Sequence, residues 1–239
     1  MLQITNYSKS YVKGINAVDN MSLTVQSGDL FGFIGHNGAG KTTTIKSIVG
    51  ILPFEQGSIT ISGIDVAKNP IECKRMLAYI PDNPEMYEAL TGIQYINFVG
   101  DIYRVPVGKR RERVEEYASK LELKATVLND PVSSYSHGMK QKLEIITALM
   151  HDPRLLVLDE PFVGLDPKAS FALKNLMKEF CTRGNAIFFS THVLEVAEKL
   201  CSKVAIIKNG RLVACGRTES VKGDSSLEEV FMELTNDEK

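Results

Sequence analysis

The sequence predicts an α/β fold: a mostly parallel sheet with helices on both faces, into which a helical segment is inserted. Three observations carry this. Short apolar runs, "GDLFGFIG", "RLLVLDE" and "NAIFFS", have the length and even hydrophobicity of strands covered on both faces. Segments with apolar residues at helical spacing alternate with them, at Ile45, Ile48, Val49 and Leu52 and again at Ala169, Ala172, Leu173, Leu176, Met177 and Phe180. From about Asn83 to Tyr135 the strand pattern gives way to helical stripes.

In chain order, the first third reads as strands with tight turns. "NMSLTV" alternates, "LFGFI" is stopped by glycine, and "GSITISG" alternates between two glycines. A strand, a glycine-rich turn and a helix follow one another up to Leu52. In the insertion, Ile96, Val99, Ile102 and Tyr103, then Val114, Tyr117, Ala118 and Leu121, form two helical stripes, and the charged "RVPVGKRRER" between them reads as a solvated face. Leu143, Ile146 and Leu149 predict a helix that starts near Gly138. "KVAIIKNGRLVACG" reads as two strands joined at Asn209-Gly210, and "SSLEEVFMELTNDEK" as a capped short helix with a frayed acidic end.

Composition sets the bounds. A chain of 239 residues, 44% of them hydrophobic, can bury a full core and fold by itself. With 28 basic and 29 acidic residues the net charge is -1, so electrostatics provide no reason to expect a nucleic-acid partner, and none is expected. Cys73, Cys181, Cys201 and Cys215 form no CxxC pair and have no histidine at metal-ligand spacing; they read as buried thiols of a reducing compartment. No stretch approaches the roughly 18 consecutive apolar residues of a membrane span. "MLQITNYSKS" lacks the basic start and apolar middle of a signal peptide. The expectation is a soluble, cytosolic chain whose membrane role, if it has one, comes through a partner.

The chemistry concentrates in three segments. "GHNGAGKTT" fits the pattern G-x-x-x-x-G-K-[ST] between a strand and a helix. Gly35, His36, Asn37, Gly38, Ala39, Gly40, Lys41, Thr42 and Thr43 would wrap backbone N–H groups around phosphate oxygens, with the Lys41 ammonium on the outer phosphates and the Thr42 hydroxyl on Mg²⁺. In "LLVLDEP", Asp159 ends an apolar strand, where it can hold Mg²⁺ through water, and the adjacent Glu160 is the candidate general base. In "SSYSHGMKQKLEI", Ser136 and Gly138 stand at a helix N-terminus, where free N–H groups attract anions; an ordinary cap fits the same residues.

The order of "GHNGAGKTT", helical insertion, "YSHGMKQ", "LLVLDEP", "GLDP" and "STH" resembles the ATP-binding subunit of an ABC transporter over nearly the whole chain, and "GRLVACGRTESV" and "LEEVFMELT" near the end resemble the drug, peptide and polysaccharide exporter branch. The resemblance implies one ABC domain, 1–239: a P-loop NTPase core with an N-terminal antiparallel β subdomain (1–82 and 136–239) and an inserted α-helical subdomain (83–135). It implies ATP and Mg²⁺ as ligands. It makes the helix start at Ser136 the signature motif, usually Leu-Ser-Gly-Gly-Gln, which binds the γ-phosphate of ATP held by the other protomer. Tyr135, His137 and Met139 depart from that pattern. Asp82 stands where the family has the Q-loop glutamine, on the Mg²⁺ side and at the hinge into the helical subdomain; "PDNP" is also rich in turn formers. His192 takes the switch-histidine position that contacts the γ-phosphate. Asp166 takes the D-loop position, where it also suits a helix cap. Tyr11 matches the aromatic that stacks on adenine, with Tyr7 the alternative in a different register and a core tyrosine the plain reading.

The implied function is an ATP-hydrolysing subunit that pairs, as a homodimer or heterodimer, around two ATP molecules. It would drive a separate transmembrane permease subunit from the cytoplasmic face of the membrane, with a lean toward export. Two alternatives stand beside it. A soluble ABC-type ATPase acting on ribosomes or DNA usually carries two cassettes or a long coiled coil, and this chain has one cassette and no sustained heptads. A non-hydrolytic ATP-dependent switch has no need of Glu160.

Overall fold

The computed structural model describes residues 1–12, 14–83 and 85–235. The chain runs β1 (Leu2–Val12), β2 (Ile15–Val25), β3 (Leu30–Ile34), α1 (Lys41–Ile48), β4 (Gln56–Ile61), β5 (Ile64–Asp65), α2 (Pro70–Met76), β6 (Leu77–Ile80), α3 (Gly92–Ile102), α4 (Val107–Lys120), α5 (His137–Leu149), β7 (Leu155–Leu158), α6 (Pro167–Thr182), β8 (Ala186–Thr191), α7 (Leu194–Leu200), β9 (Lys203–Lys208), β10 (Arg211–Arg217), α8 (Thr218–Lys222) and α9 (Leu227–Thr235). Short 3₁₀ turns at Ala125–Asn129 and Val132–Ser134 lead into α5.

The strands form a four-stranded antiparallel sheet, β2-β1-β4-β5, and a six-stranded sheet, β10-β9-β3-β8-β7-β6, in which only β10 runs antiparallel to its neighbour. Every residue of β3, β7 and β8 is buried, as expected of strands covered on both faces. Period-two alternation divides their side chains between two cores. Leu30, Ile34, Leu156, Leu158, Ile187 and Phe189 pack with the apolar faces of α5 and α6. Phe31, Phe33, Leu155, Val157, Ala186 and Phe188 face α1 and the antiparallel sheet. The carboxyl ends of β3, β7 and β8 therefore come together at one edge, where open α/β sheets bind ligands.

The observed elements match the expected order, with local departures. α3 and α4 form the insertion, but Ile102 is exposed, because it lies in the last turn of α3 beyond the face that carries Ile96 inward. The charged connection is not wholly solvated. Arg110 is buried, its Nε donating to Val105 O (2.6 Å) and its Nη atoms to Asn97 O (3.1 Å) and Asp101 Oδ1 (2.6 Å), which ties α4 to the end of α3. Cys73, Cys181 and Cys201 are buried as expected; Cys215, on the edge strand β10, is exposed. α9 opens with a reciprocal cap, Ser226 N to Glu229 Oε2 (2.8 Å) and Glu229 N to Ser226 Oγ (3.2 Å). The expected frayed acidic end at 236–239, and Pro84 of "PDNP", lie outside the described residues. Among the described residues no helix is long and apolar enough to cross a membrane.

Candidate functional site

The loop between β3 and α1 is built around glycine. Gly38 and Gly40 have φ of 81° and 107°, in the left-handed region that side chains disfavour. At Gly40 a Cβ would also meet Ala17 O at 2.6 Å, so the loop lies directly on the antiparallel sheet. Lys41 opens α1 and is buried, with Nζ donating to Gly35 O (2.7 Å) and His36 O (3.3 Å) and standing 3.5 Å from Glu160 Oε1. A cavity of about 450 Å³ opens over this loop. Tyr11, His36, Asn37, Gly38, Gly40, Lys41, Thr42, Thr43, Asp82, Asp159 and Glu160 line it, all anticipated from sequence, together with Ala17, which was not. Gly35 and Ala39 are buried in the loop's base.

Asp159 ends at the mouth of β7, nearly sealed from solvent. The Thr42 hydroxyl donates to its Oδ2 (3.0 Å) and the Ser190 hydroxyl to its Oδ1. Burial raises its pKa above the usual carboxylate range, and the two hydroxyls pull in the opposite direction. Glu160 has φ of 48°, a left-handed conformation uncommon for a non-glycine residue. Its N–H donates to the same Ser190 Oγ (3.0 Å), which holds the backbone there. Its carboxylate then bridges two cations or donors: Oε1 faces Lys41, and Oε2 meets His192 Nδ1 at 2.9 Å. Strained backbone of this kind persists where the surroundings over-determine it, and it gathers at reactive sites. Ser190 was not singled out from sequence, although it stands two residues before His192 in "STH". Gln141, also missed, is buried on α5 and reaches the loop after Glu160 by donating to Pro161 O (2.7 Å).

Thr42, Asp159 and Asp82 offer only oxygen donors, the ligand type that suits Mg²⁺. Among the described residues no group of three His, Cys, Asp or Glu side chains could hold a metal alone. Asp82 lines the cavity, and its Oδ1 accepts from Asn83 N (2.9 Å).

Tyr11 lies at the end of β1, exposed, with its hydroxyl 3.2 Å from Thr43 Oγ1. Tyr7 is fully buried, bonded to Ser47 Oγ (2.7 Å), and belongs to the core. Ser136 caps α5, accepting from Met139 N (3.3 Å), and neither it nor Gly138 lines the cavity. The His137 ring packs against Gly164 in the loop after β7, so the N-terminus of α5 touches that loop. Asp166 caps α6 by accepting from Ala169 N (2.8 Å), a bond that holds its carboxyl below the usual range.

Comparison with known proteins agrees with this geometry. The family model described as ABC transporter matches residues 18–163. The ABC-type transporter ATP-binding protein EcsA of Bacillus subtilis is 31% identical over 243 residues, covering 100% of this chain and 98% of that protein. The linearmycin resistance ATP-binding protein LnrL of the same organism is 34% identical over 216 residues, 90% of this chain and 69% of the relative. A solved structure described as the ATP binding subunit of an ABC transporter superposes with a TM-score of 0.93 at 34% identity, covering 99% of this chain and 100% of that one. With the glycine-rich loop, Asp159, Glu160 and His192 gathered at one sheet edge, this chain belongs to the family of ABC transporter ATP-binding subunits, whose work is the binding and hydrolysis of ATP.

Proposed function

We propose that ATP occupies the cavity over Gly35–Thr43 and that Glu160 drives its hydrolysis. The observation that carries this is the Glu160 carboxylate, held between Lys41 Nζ at 3.5 Å and His192 Nδ1 at 2.9 Å at the rim of a phosphate loop. The loop N–H groups and Lys41 bind the phosphates, and Tyr11 stacks on the base. Thr42 and Asp159, with Asp82 beside them, would hold Mg²⁺, which when bound neutralises phosphate charge. Glu160 accepts a proton from the attacking water as its oxygen bonds to the γ-phosphorus and the bond to the bridging oxygen breaks, leaving ADP and phosphate. His192 orients that carboxylate.

Ser136 and Gly138 lie outside their own chain's cavity, which supports a second copy or a related chain as the recipient of the α5 N-terminus. Two ATP molecules are then enclosed between two protomers. Closure moves the helical insertion, 83–135, against the core formed by 1–82 and 136–239. The surface from Asp82 into that insertion, where Tyr87 and Phe98 are both exposed, meets a separate membrane permease at the cytoplasmic face. The linearmycin resistance role in the name of one relative favours export.

Glu160→Gln tests this reading: ATP binding persists while turnover falls about 10²–10⁴-fold. Undiminished turnover removes Glu160 from the reaction.

A further inference from the structure

The glycine-rich loop is gripped unevenly. Its base is locked by close approach: a Cβ on Gly35 would meet Ile207 O at 2.7 Å, and Gly210 N, in the turn between β9 and β10, donates to Ala39 O (3.0 Å). Its crest, His36, Asn37 and Gly38, is exposed. The crest still carries a task, because His36 O accepts from Lys41 Nζ (3.3 Å) and from Ala39 N (3.2 Å), so its position helps to fix both the ammonium and the turn of the loop.

A contact on that crest comes from the far end of the chain. The ring of Phe231, on α9, meets the His36 imidazole edge-on, with centroids 4.8 Å apart and planes at 62°. Phe231 is itself buried, and α9 is seated independently of this contact. Leu227, one turn earlier on the same face, is fully buried, and its N–H donates to Glu198 Oε2 on α7 (2.9 Å). Lys222 Nζ stands 3.4 Å from the other oxygen of that carboxylate. α7 begins two residues after His192. A helix anchored behind His192 thus lays a fixed ring against the exposed crest.

We propose that Phe231 is a positioning residue for ATP binding, acting through His36 to keep the loop in its binding conformation; the assignment rests on the reading of the cavity as an ATP site. A loop already shaped for phosphate takes less of the ligand's binding energy to order, and the fraction of chains with the crest in place scales the apparent affinity. An edge-to-face ring pair supplies a factor of about three to ten. Once ATP is bound, its phosphates hold the same N–H groups and the ring adds nothing further. Affinity therefore depends on Phe231, and the rate of the loaded site does not.

The test compares four full-length chains: unaltered, Phe231→Leu, His36→Ala and the double variant. Binding is measured by equilibrium dialysis of radiolabelled ATP without Mg²⁺, so that none is hydrolysed, and kcat at saturating ATP with Mg²⁺. Phe231→Leu keeps an apolar side chain under α9 while removing the ring, and His36→Ala alters only an exposed side chain. Each single variant should weaken ATP binding about three- to tenfold, with kcat of Phe231→Leu within about twofold of the unaltered chain. In the His36→Ala background, Phe231→Leu should change Kd by less than about twofold, since the contact is already gone. Unchanged affinity in either single variant, an equal loss from Phe231→Leu in both backgrounds, or a kcat of Phe231→Leu that falls with its affinity overturns the positioning role alone. An unaltered chain that binds no ATP overturns the reading of the cavity, and this role with it.

Discussion

The imidazole of His137 fills the space in which Gly164 would carry a side chain: a Cβ there would come within 2.8 Å of the ring's Cδ2 and 3.1 Å of Nε2. Gly164 also has φ of 75°, so a side chain meets both a strained backbone and a ring.

Gly164→Ala should therefore destabilise the chain by about 1–3 kcal/mol, measured by urea unfolding. Combined with His137→Gly the loss should be smaller than the sum of the two single losses, because the ring contact is gone while the φ strain remains. Simple additivity would mean that the ring does not restrict this loop.

Ser190 joins the two acids, donating to Asp159 and accepting from Glu160 N. Ser190→Ala leaves a buried carboxylate oxygen and an N–H short of a partner, a loss of about 1–3 kcal/mol. Because Glu160 is then free to leave its left-handed conformation, kcat should fall about tenfold or more, while affinity for ATP without Mg²⁺ is unchanged. Ser190→Thr, which keeps the hydroxyl, should recover part of the rate. A change in ATP affinity alone would contradict this positioning role.

Glu144 gives the fold a pH dependence of defined sign. Its folded carboxyl titrates at about 8, above its unfolded value, so the native chain holds the extra proton in between. Stability that Glu144 allows at low pH is lost as pH rises from the unfolded pKa through about 8, at no more than about 1.4 kcal/mol per pH unit. Glu144→Gln should remove that slope, measured as the difference in unfolding free energy between the two chains from pH 5 to 8; His151 contributes equally to both. Parallel curves would show that the carboxyl is not desolvated.

Much of this could be read from the residues. The even hydrophobicity of β3, β7 and β8 announces strands buried on both faces, and the glycine-rich loop and acid pair place the chemistry at their ends. β1 was hidden because its ladder has register shifts after Ile4, with Asn6 at a φ of 48°, so that Ile4 and Tyr7, three apart, are both buried and alternation is lost. α2 has seven residues and a single buried one, Cys73, too little for a period to show. Charge predicts exposure for Arg110, whereas its fork of donors satisfies the carbonyls of Asn97 in α3 and of Val105 just after it. Ser190 could not be distinguished from any strand serine without knowing that β7 and β8 are neighbours.

The division of the phosphate site between two copies is tested most directly by the specific ATPase activity of the purified chain across a dilution series, with the state of association followed by sedimentation. Activity per chain should fall toward zero as the dimer dissociates and return on concentration. Full specific activity in a strictly monomeric sample would contradict it, since Ser136 and Gly138 would then have no part in enclosing the terminal phosphate.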